Sequence, residues 1–67
     1  MNIGDMLREK RRRKKLTQQR LGELLGYEGR TAELMVQHWE HNREAIPTRK
    51  IKPLSKILDI PVEDLLP

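Results

Sequence analysis

Apolar residues recur at helical spacing from the beginning of the chain. Ile3, Leu7 and Arg11 stand four positions apart, which places them on one face of an α-helix. Asn2 is the predicted N-cap of this first helix, because its side-chain oxygen can accept a backbone N–H of the first turn. Arg11 therefore occupies a position where an apolar residue is expected, and an unpaired charge there would be costly.

The middle of the chain has the pattern of two short helices joined by a turn. Thr17 is the predicted cap of the first of them, because its hydroxyl can accept a backbone N–H at the helix start. The apolar stripe of this helix consists of Leu21, Leu24 and Leu25. Gly22 lies within it, where glycine costs about 1 kcal/mol relative to alanine. Gly26 suits the left-handed conformation in which many helices end, so it predicts the helix stop.

A third helix is predicted from Thr31, the candidate N-cap, to Asn42, which tolerates the left-handed conformation that ends a helix. Its inward side consists of Ala32, Met35, Val36 and Trp39. Its outward side consists of Arg30, Glu33, Leu34, Gln37, His38 and His41. This helix therefore presents a mostly polar face to solvent.

The remainder of the chain predicts two more helices. Thr48 is the candidate cap of a fourth helix, and Pro53 within it is expected to bend its first turn. The apolar face of this helix consists of Ile51, Leu54, Ile57 and Leu58. A last short helix carries Val62, Leu65 and Leu66. Because the sequence shows no strand-like alternation, repeat or low-complexity linker, we predict a compact all-α architecture of five helices in a single domain, residues 1–67.

Charge is distributed unevenly along the chain. The formal net charge is +4, and the segment from Arg8 to Arg20 contains eight basic residues against one acid, Glu9. The acids near the C-terminus are Asp59, Glu63 and Asp64. An excess of positive charge attracts a polyanion such as nucleic acid. A solvated surface of snorkelling side chains is the alternative for the basic run, and a nuclear-localisation segment has no support elsewhere in the chain.

Length and composition narrow the class of protein. A chain of 67 residues buries only about 60% of its unfolded surface, so dimerisation or attachment to a partner would add buried area. Leu65 with Leu66, and Ile46 with Pro47, are candidates for a homodimer contact. Cysteine is absent, which excludes disulfides and thiolate metal sites and fits a reducing compartment. No apolar run reaches the roughly 20 residues of a membrane span and no signal peptide is apparent, so we expect a cytoplasmic protein.

A set of spaced residues runs through the middle of the chain and consists of Gln18, Gly22, Gly26 and the pair Trp39-Glu40. Their spacing resembles that of the helix-turn-helix in Cro- and phage-repressor-type regulators, the XRE-like family. The resemblance covers nearly the whole chain. It implies a lambda-repressor-like fold, and it places another helix close to Gly22. It also implies sequence-specific binding of double-stranded DNA by a transcriptional regulator of the repressor type, with the helix at about residues 31–42 in the major groove.

The chain departs from the family in one respect. Between Gly26 and Trp39 it has about four residues more than the usual spacing, and the additional residues fall at 27–30. They predict a lengthened turn before the recognition helix, with an earlier start of that helix as the alternative.

The outward side of the recognition helix supplies the candidates for base contacts, which are Glu33, Leu34, Gln37 and His38. Gln37 can form two hydrogen bonds with adenine, and Glu33 can accept one from N4 of cytosine. Leu34 can contact a thymine methyl group, and His38 can donate or accept a hydrogen bond. In the family, counting back from Trp39-Glu40, recognition contacts cluster at the same four positions. A plain solvated helix face is the alternative.

The candidates for phosphate contacts are Gln18, Arg30, Arg43, Arg49 and Lys50. Gln18 opens the second helix, where a side-chain amide adds to the positive end of the helix dipole. Arg30 lies on the outward side of the recognition helix, and Arg43 follows that helix, as basic residues do in the family. Arg49 and Lys50 oppose the local dipole of the fourth helix unless phosphates neutralise them. Such contacts orient a protein on DNA without reading its sequence.

Arg11 and Glu40 are predicted to form a structural salt bridge. Both match positions that pair in the family, where the bridge ties the first helix to the recognition helix. Independently of the resemblance, Arg11 lies on the apolar face of its helix and needs a partner.

The sequence indicates no enzyme, no cofactor and no small-molecule ligand. It contains no Ser/His/Asp set, glycine-rich phosphate loop or inward carboxylate pair. His38 and His41 have a spacing that can bind a metal, but Glu33 lies too far round the helix to complete a site. The competing function is a protein-interaction module on the same fold, such as an antitoxin or adaptor with weak or lost DNA binding. Salt-dependent DNA binding separates the two functions.

Overall fold

The computed structural model describes residues 2–66, which form four α-helices and no strand. The helices are α1 (Ile3–Arg13), α2 (Gln18–Leu24), α3 (Gly29–Glu40) and α4 (Thr48–Leu58). A 3₁₀ turn, Val62–Asp64, follows α4. The all-α prediction is confirmed, and no helix in this described part is long and apolar enough to cross a lipid bilayer.

α1 presents the predicted face to the core, with Leu7 and Arg11 buried. The Asn2 side chain accepts the backbone N–H of Asp5 at 2.9 Å, which confirms Asn2 as the N-cap. At the other end, Lys15 adopts the left-handed conformation with φ of 59° and closes the helix. The backbone of α1 is therefore terminated by local contacts at both ends.

α2 and α3 pack against each other more extensively than any other pair of helices. The Thr17 hydroxyl caps α2 by accepting the backbone N–H of Arg20 at 3.0 Å, as predicted. Gly22 lies so close to the Ala32 backbone that a Cβ atom at Gly22 would overlap the Ala32 carbonyl. The predicted close approach at Gly22 is confirmed, and α3 is the helix that makes it.

The turn between α2 and α3 comprises residues 25–28 only, so the predicted lengthened turn is wrong. The N–H of Tyr27 donates to the Gly22 carbonyl at 3.1 Å, and that of Gly26 donates to Glu23 at 3.0 Å. This pair of bonds is a Schellman motif, which requires a left-handed residue, and Gly26 has φ of 100°. Gly26 is confirmed as the helix stop.

The additional residues of the chain, 27–30, are divided between the turn and α3: Tyr27 and Glu28 lie in the turn, and Gly29 and Arg30 begin the helix. Because α3 begins at Gly29, the predicted start at Thr31 is wrong, and the alternative of an earlier helix start is confirmed. Glu28 occupies the cap position without a side-chain hydrogen bond. The physical reason is that Ala32 packs on Gly22 directly after the turn, so the chain enters the helix at once and no residues remain for a longer loop.

The end of α3 is joined to the start of α1. α3 ends at Glu40, and Asn42 adopts the predicted left-handed conformation with φ of 57°. The N–H of Arg43 then donates to the His38 carbonyl at 2.9 Å, which closes the helix end. The Asn42 side chain accepts the backbone N–H of Gly4 at 3.1 Å, so the same residue ends one helix and holds another.

The C-terminal part differs from the prediction in two respects. Pro47 rather than Thr48 is the cap of α4, because the Pro47 carbonyl accepts the Lys50 N–H at 2.8 Å and Thr48 is already helical. The predicted fifth helix is only the 3₁₀ turn Val62–Asp64, so the described residues contain four α-helices rather than five. Pro61 precedes this turn and cannot donate a backbone hydrogen bond, and three residues are too few for an α-helix.

The core lies between the four helices and the 3₁₀ turn. Its members are Leu7, Leu21, Leu25, Ala32, Val36, Trp39, Ile51, Leu54, Leu58, Ile60 and Leu65. Leu24, which was predicted to face inward, is instead 43% exposed. Leu21 of α2 and Leu25, which caps its C-terminal end, are both buried in the core, whereas Leu24 lies at the surface.

Candidate nucleic-acid interface

The last residue of α3, Glu40, has a buried carboxylate that accepts hydrogen bonds from side chains of two other helices. The Glu40 side chain is fully buried. Arg11 donates to both of its oxygens, with Nε 2.6 Å from Oε2 and Nη2 3.2 Å from Oε1. The Gln18 amide donates to Oε1 at 3.1 Å. The structure therefore contains the salt bridge expected between Arg11 and Glu40, and this bridge links α1, the start of α2 and the end of α3.

Gln18 has a structural bond that sequence reasoning missed. It is half-buried at the first position of α2, and its amide nitrogen faces Glu40. Only the second N–H and the amide oxygen remain for a ligand. The phosphate contact of Gln18 stays a prediction, and no local pattern could have shown its bond to a residue 22 positions away.

Arg8 lies beside the same carboxylate. Its Nε is 3.6 Å from Oε1 of Glu40, and its Nη1 is 3.9 Å from the Asp5 carboxylate. Sequence reasoning missed Arg8 as well, although its position three residues before Arg11 on α1 is a usable signal. Two arginines therefore meet the buried carboxylate, and Arg8 is shared between Glu40 and the exposed Asp5.

The outward side of α3 carries the four residues that are predicted to contact bases. Helical geometry places Leu34 and His38 opposite the buried Val36, whereas Gln37 and Glu33 lie progressively nearer the core. All four predicted side chains are half-buried. Among residues 2–66, no protein group hydrogen-bonds the side chains of Glu33 or Gln37. Leu34, Gln37 and His38 therefore share the outward side of α3, and Glu33 lies at the edge of that side.

His38 has an acidic neighbour that sequence reasoning did not consider. Its Nδ1 lies 3.5 Å from Oε2 of Glu44 and makes no hydrogen bond within the described residues. His41 is exposed one turn further on, and no group of three metal-ligating side chains occurs among residues 2–66. Glu44 therefore places an acceptor at the edge of the outward face, from a position beyond the end of the helix.

Three of the predicted phosphate contacts are exposed arginines on different elements. Arg30 lies in the first turn of α3, Arg43 follows the end of α3, and Arg49 lies in the first turn of α4. None of the three forms an ion pair with another described residue. Their guanidinium groups are therefore open to an anionic ligand.

Lys50 supports the turn between α2 and α3. Its ammonium group donates to the Leu25 carbonyl and lies 4.8 Å from the centroid of the Tyr27 ring. The Tyr27 ring in turn packs against Trp39, with the centroids 6.1 Å apart. The phosphate contact of Lys50 stays a prediction, and its observed contacts make it a link from α4 to the turn.

Part of the basic run at residues 10–15 is neutralised within the protein. Arg13 pairs with Glu9 at 2.8 Å, and Lys14 pairs with Asp59 at 2.7 Å. The hydrogen bond and the charge of Lys14 lower the pKa of the Asp59 carboxyl below its ordinary value of 3.8. These pairs are exposed, so they order the surface more than they stabilise the fold.

No family model, curated protein or solved structure matches this chain.

Proposed function

We propose that this chain binds double-stranded DNA in a sequence-specific manner, as a transcriptional regulator with a lambda-repressor-like helix-turn-helix fold. The observation that carries the proposal is the unit of α2, a four-residue turn and α3. Gly22 joins the two helices backbone to backbone, Lys50 supports the turn, and Glu40 ties the end of α3 to α1. This unit leaves the polar side of α3 outward and holds it in a defined orientation.

The dimensions and chemistry of α3 suit the major groove of B-DNA. Twelve residues give a helix about 18 Å long, and the groove, about 12 Å wide, admits a helix. Gln37 offers a bidentate pattern for adenine, and Leu34 offers apolar contact with a thymine methyl. His38 adds a donor or an acceptor, and Glu33, at the edge of the face, can accept from cytosine.

Affinity would come from positive charge around this face. Arg30, Arg43 and Arg49 are exposed and free of ion pairs among the described residues. Contacts of guanidinium groups with phosphates release counterions, so binding should weaken steeply as salt rises. Gln18 would add a phosphate contact through the part of its amide that Glu40 leaves free.

The experiment compares two DNA duplexes, one enriched from a random pool by the wild-type protein and one with the same bases scrambled. The variant Gln37→Ala/His38→Ala should lose the preference for the enriched site and keep most of its non-specific affinity. The expected loss of discrimination is about 1–3 kcal/mol for each good base contact. Gln19→Ala is the matched control, because it removes an exposed amide from α2 and should leave the preference unchanged.

Two results would overturn the proposal. Wild-type protein that binds both duplexes equally does not read sequence, and wild-type protein that binds neither at low salt does not bind DNA. Either result would favour a protein-interaction module on the same fold. The exposed Leu24 at the end of α2 would then be the first residue to test for a protein contact.

A further inference from the structure

The carboxylate of Glu44 lies beside the imidazole ring of His38, although Glu44 is not part of α3. Nδ1 of His38 is 3.5 Å from Oε2 of Glu44. This nitrogen is buried and has no hydrogen-bond partner among residues 2–66. A residue on the outward side of α3 therefore has one nitrogen that only a neighbouring side chain of the same protein can influence.

The turn after α3 places Glu44 there through its backbone. Asn42 has the left-handed conformation and turns the chain back, so that the N–H of Arg43 donates to the His38 carbonyl at 2.9 Å. Glu44 is the next residue, and it therefore directly follows an amide that is bonded to His38. The Asn42 side chain also accepts the Gly4 N–H at 3.1 Å, which fixes the turn to α1. The position of Glu44 beside His38 follows from the way α3 ends.

The opposite side of the His38 ring is accessible. The side chain is 34% exposed while Nδ1 is buried, so the exposed surface belongs to the other side-chain atoms, which include Nε2. A neutral imidazole carries a proton on one nitrogen and a lone pair on the other. A lone pair on Nδ1 would be repelled by the Glu44 carboxylate, whereas a proton on Nδ1 is attracted to it. The neutral ring should therefore hold its proton on Nδ1 and present the lone pair of Nε2 to a ligand.

We propose that Glu44 is a specificity-determining residue that keeps the His38 proton on Nδ1 and so makes Nε2 a hydrogen-bond acceptor toward DNA bases. This inference rests on the proposed function, in which His38 faces the major groove. The groups that donate hydrogen bonds there are the N6 amino group of adenine and the N4 amino group of cytosine. His38 should therefore favour adenine or cytosine over guanine or thymine, which present acceptors in the groove.

The same carboxylate should lower the affinity for DNA of any sequence. A negative charge next to the DNA-facing side repels phosphates, so Glu44 opposes the non-specific part of binding. Weaker binding to all sequences together with a defined acceptor on His38 increases the discrimination between sites. Removal of the Glu44 charge should therefore change affinity and specificity in opposite directions, which the loss of a purely structural contact would not do.

The position of the proton is measured on the free protein by ¹⁵N NMR of the imidazole nitrogens, above about pH 8, where an ordinary histidine is neutral. His41 is the reference within the same sample, because it is exposed and forms no ion pair with a described residue. Wild-type His38 should carry its proton on Nδ1. Glu44→Gln should move the nitrogen shifts of His38 toward those of His41. Glu63→Gln is the matched control, because it removes the charge of an exposed carboxylate in the 3₁₀ turn and should leave His38 unchanged.

The base preference is measured at the same pH by selection from a random pool of duplexes. His38→Ala identifies the base that His38 reads, as the position whose preference is lost. Glu44→Gln should reduce the preference for adenine or cytosine at that position by about fivefold or more, the low end for a base contact, and should bind scrambled DNA more tightly. Glu63→Gln should keep the preference within about twofold of the wild-type value. The emission of the buried Trp39 checks that each variant is folded.

Three results would overturn the inference: a wild-type His38 proton on Nε2, equal effects of Glu44→Gln and Glu63→Gln, or a preference for guanine or thymine at the His38 position. Failure of the proposed function gives a different result. A protein with the His38 proton on Nδ1 that binds no DNA contradicts DNA binding and leaves the effect of Glu44 on the ring in place. A protein that selects a DNA site with the proton on Nε2 contradicts only the role of Glu44.

Discussion

The buried pair of Arg11 and Glu40 should be strongly coupled in stability. The Glu40 side chain has no exposed surface and that of Arg11 is 11% exposed, so neither charge reaches bulk water when its partner is removed. Arg11→Met leaves the carboxylate with the Gln18 amide and with Arg8 at 3.6 Å. We expect a loss of about 3 kcal/mol, the lower end for breaking a buried pair, because Arg8 can partly replace the lost charge.

The reverse change and the double variant complete the cycle. Glu40→Leu leaves the Arg11 guanidinium with one remaining bond, to the Leu16 carbonyl at 2.9 Å, and should also cost about 3 kcal/mol. The double variant replaces the pair by apolar groups and leaves only the Leu16 carbonyl and the Gln18 amide without partners. At about 1 kcal/mol for each of them, its loss should be about 2 kcal/mol. The two changes together should therefore cost less than either alone, with a coupling energy of about 4 kcal/mol.

Urea unfolding followed by the fluorescence of Trp39 measures these losses, since this single tryptophan is buried next to Glu40 in the chain. A domain of this size has a total stability of about 3–10 kcal/mol, so a stabilising salt should be present for the single variants. The exposed pair of Arg13 and Glu9 is the control, and its coupling should stay below about 1 kcal/mol. Strictly additive losses at the buried pair would refute the argument that its partners hold each other.

Three further changes test other contacts. Gly22→Ala should lower the free energy of unfolding by about 3 kcal/mol, because the added methyl group overlaps the Ala32 carbonyl. Lys14→Ala should raise the pKa of Asp59 toward 3.8, as measured by NMR titration of its carboxyl group. Because the pKa is lowered in the folded protein, this pair stabilises the fold above the unfolded pKa, and the contribution is lost as the pH falls through the folded value. Arg30→Ala should weaken binding to all DNA sequences and reduce the salt slope by about one phosphate.

The first of these changes has a matched control in the same turn region. Gly29 has φ of 53°, and a methyl group added to it would meet no atom within 4 Å. Gly29→Ala should therefore cost only the strain of the left-handed conformation, about 1 kcal/mol. If Gly22→Ala costs no more than Gly29→Ala, the close packing of α2 on α3 does not matter for stability.

Two lysine substitutions serve as controls for the other two changes. Lys15→Ala removes an exposed charge next to Lys14 that is not a cause of the lowered pKa of Asp59, and it should leave that pKa nearly unchanged. Lys56→Ala removes an exposed charge from the last turn of α4 and should change the salt slope less than Arg30→Ala does. Equal effects of a lysine control and its test variant would show that only net charge matters.

Sequence reasoning succeeded where one residue determines its own surroundings. Asn2 and Thr17 cap helices with their own side chains, and Asn42 ends α3 in a conformation that asparagine tolerates. Because a charge on the apolar face of a helix needs a partner, the position of Arg11 predicted a buried ion pair. The family resemblance identified Glu40 as the partner.

It failed where distant contacts decide the outcome. The start of α3 depends on Ala32 meeting Gly22, and helix propensity alone does not show that the chain has no room for a loop. Lys50 looked like a free cation, but its position beside Tyr27 and the Leu25 carbonyl exists only once α4 is packed. The base and phosphate contacts remain predictions, since they involve a ligand rather than the chain itself.

The residues that dock α1 on α3 are much farther apart in the sequence than the residues that join α2 to α3, and this difference predicts the order in which the helices associate. Gly22 and Ala32 meet across one short turn, so closing that loop costs little entropy. Arg11 and Glu40 are 29 positions apart, and such contacts form late. We expect α2 and α3 to associate first and α1 to dock last, so weakening the buried pair should mainly accelerate unfolding. The docking of α1 would then govern how long each molecule resists a protease that cleaves the opened chain.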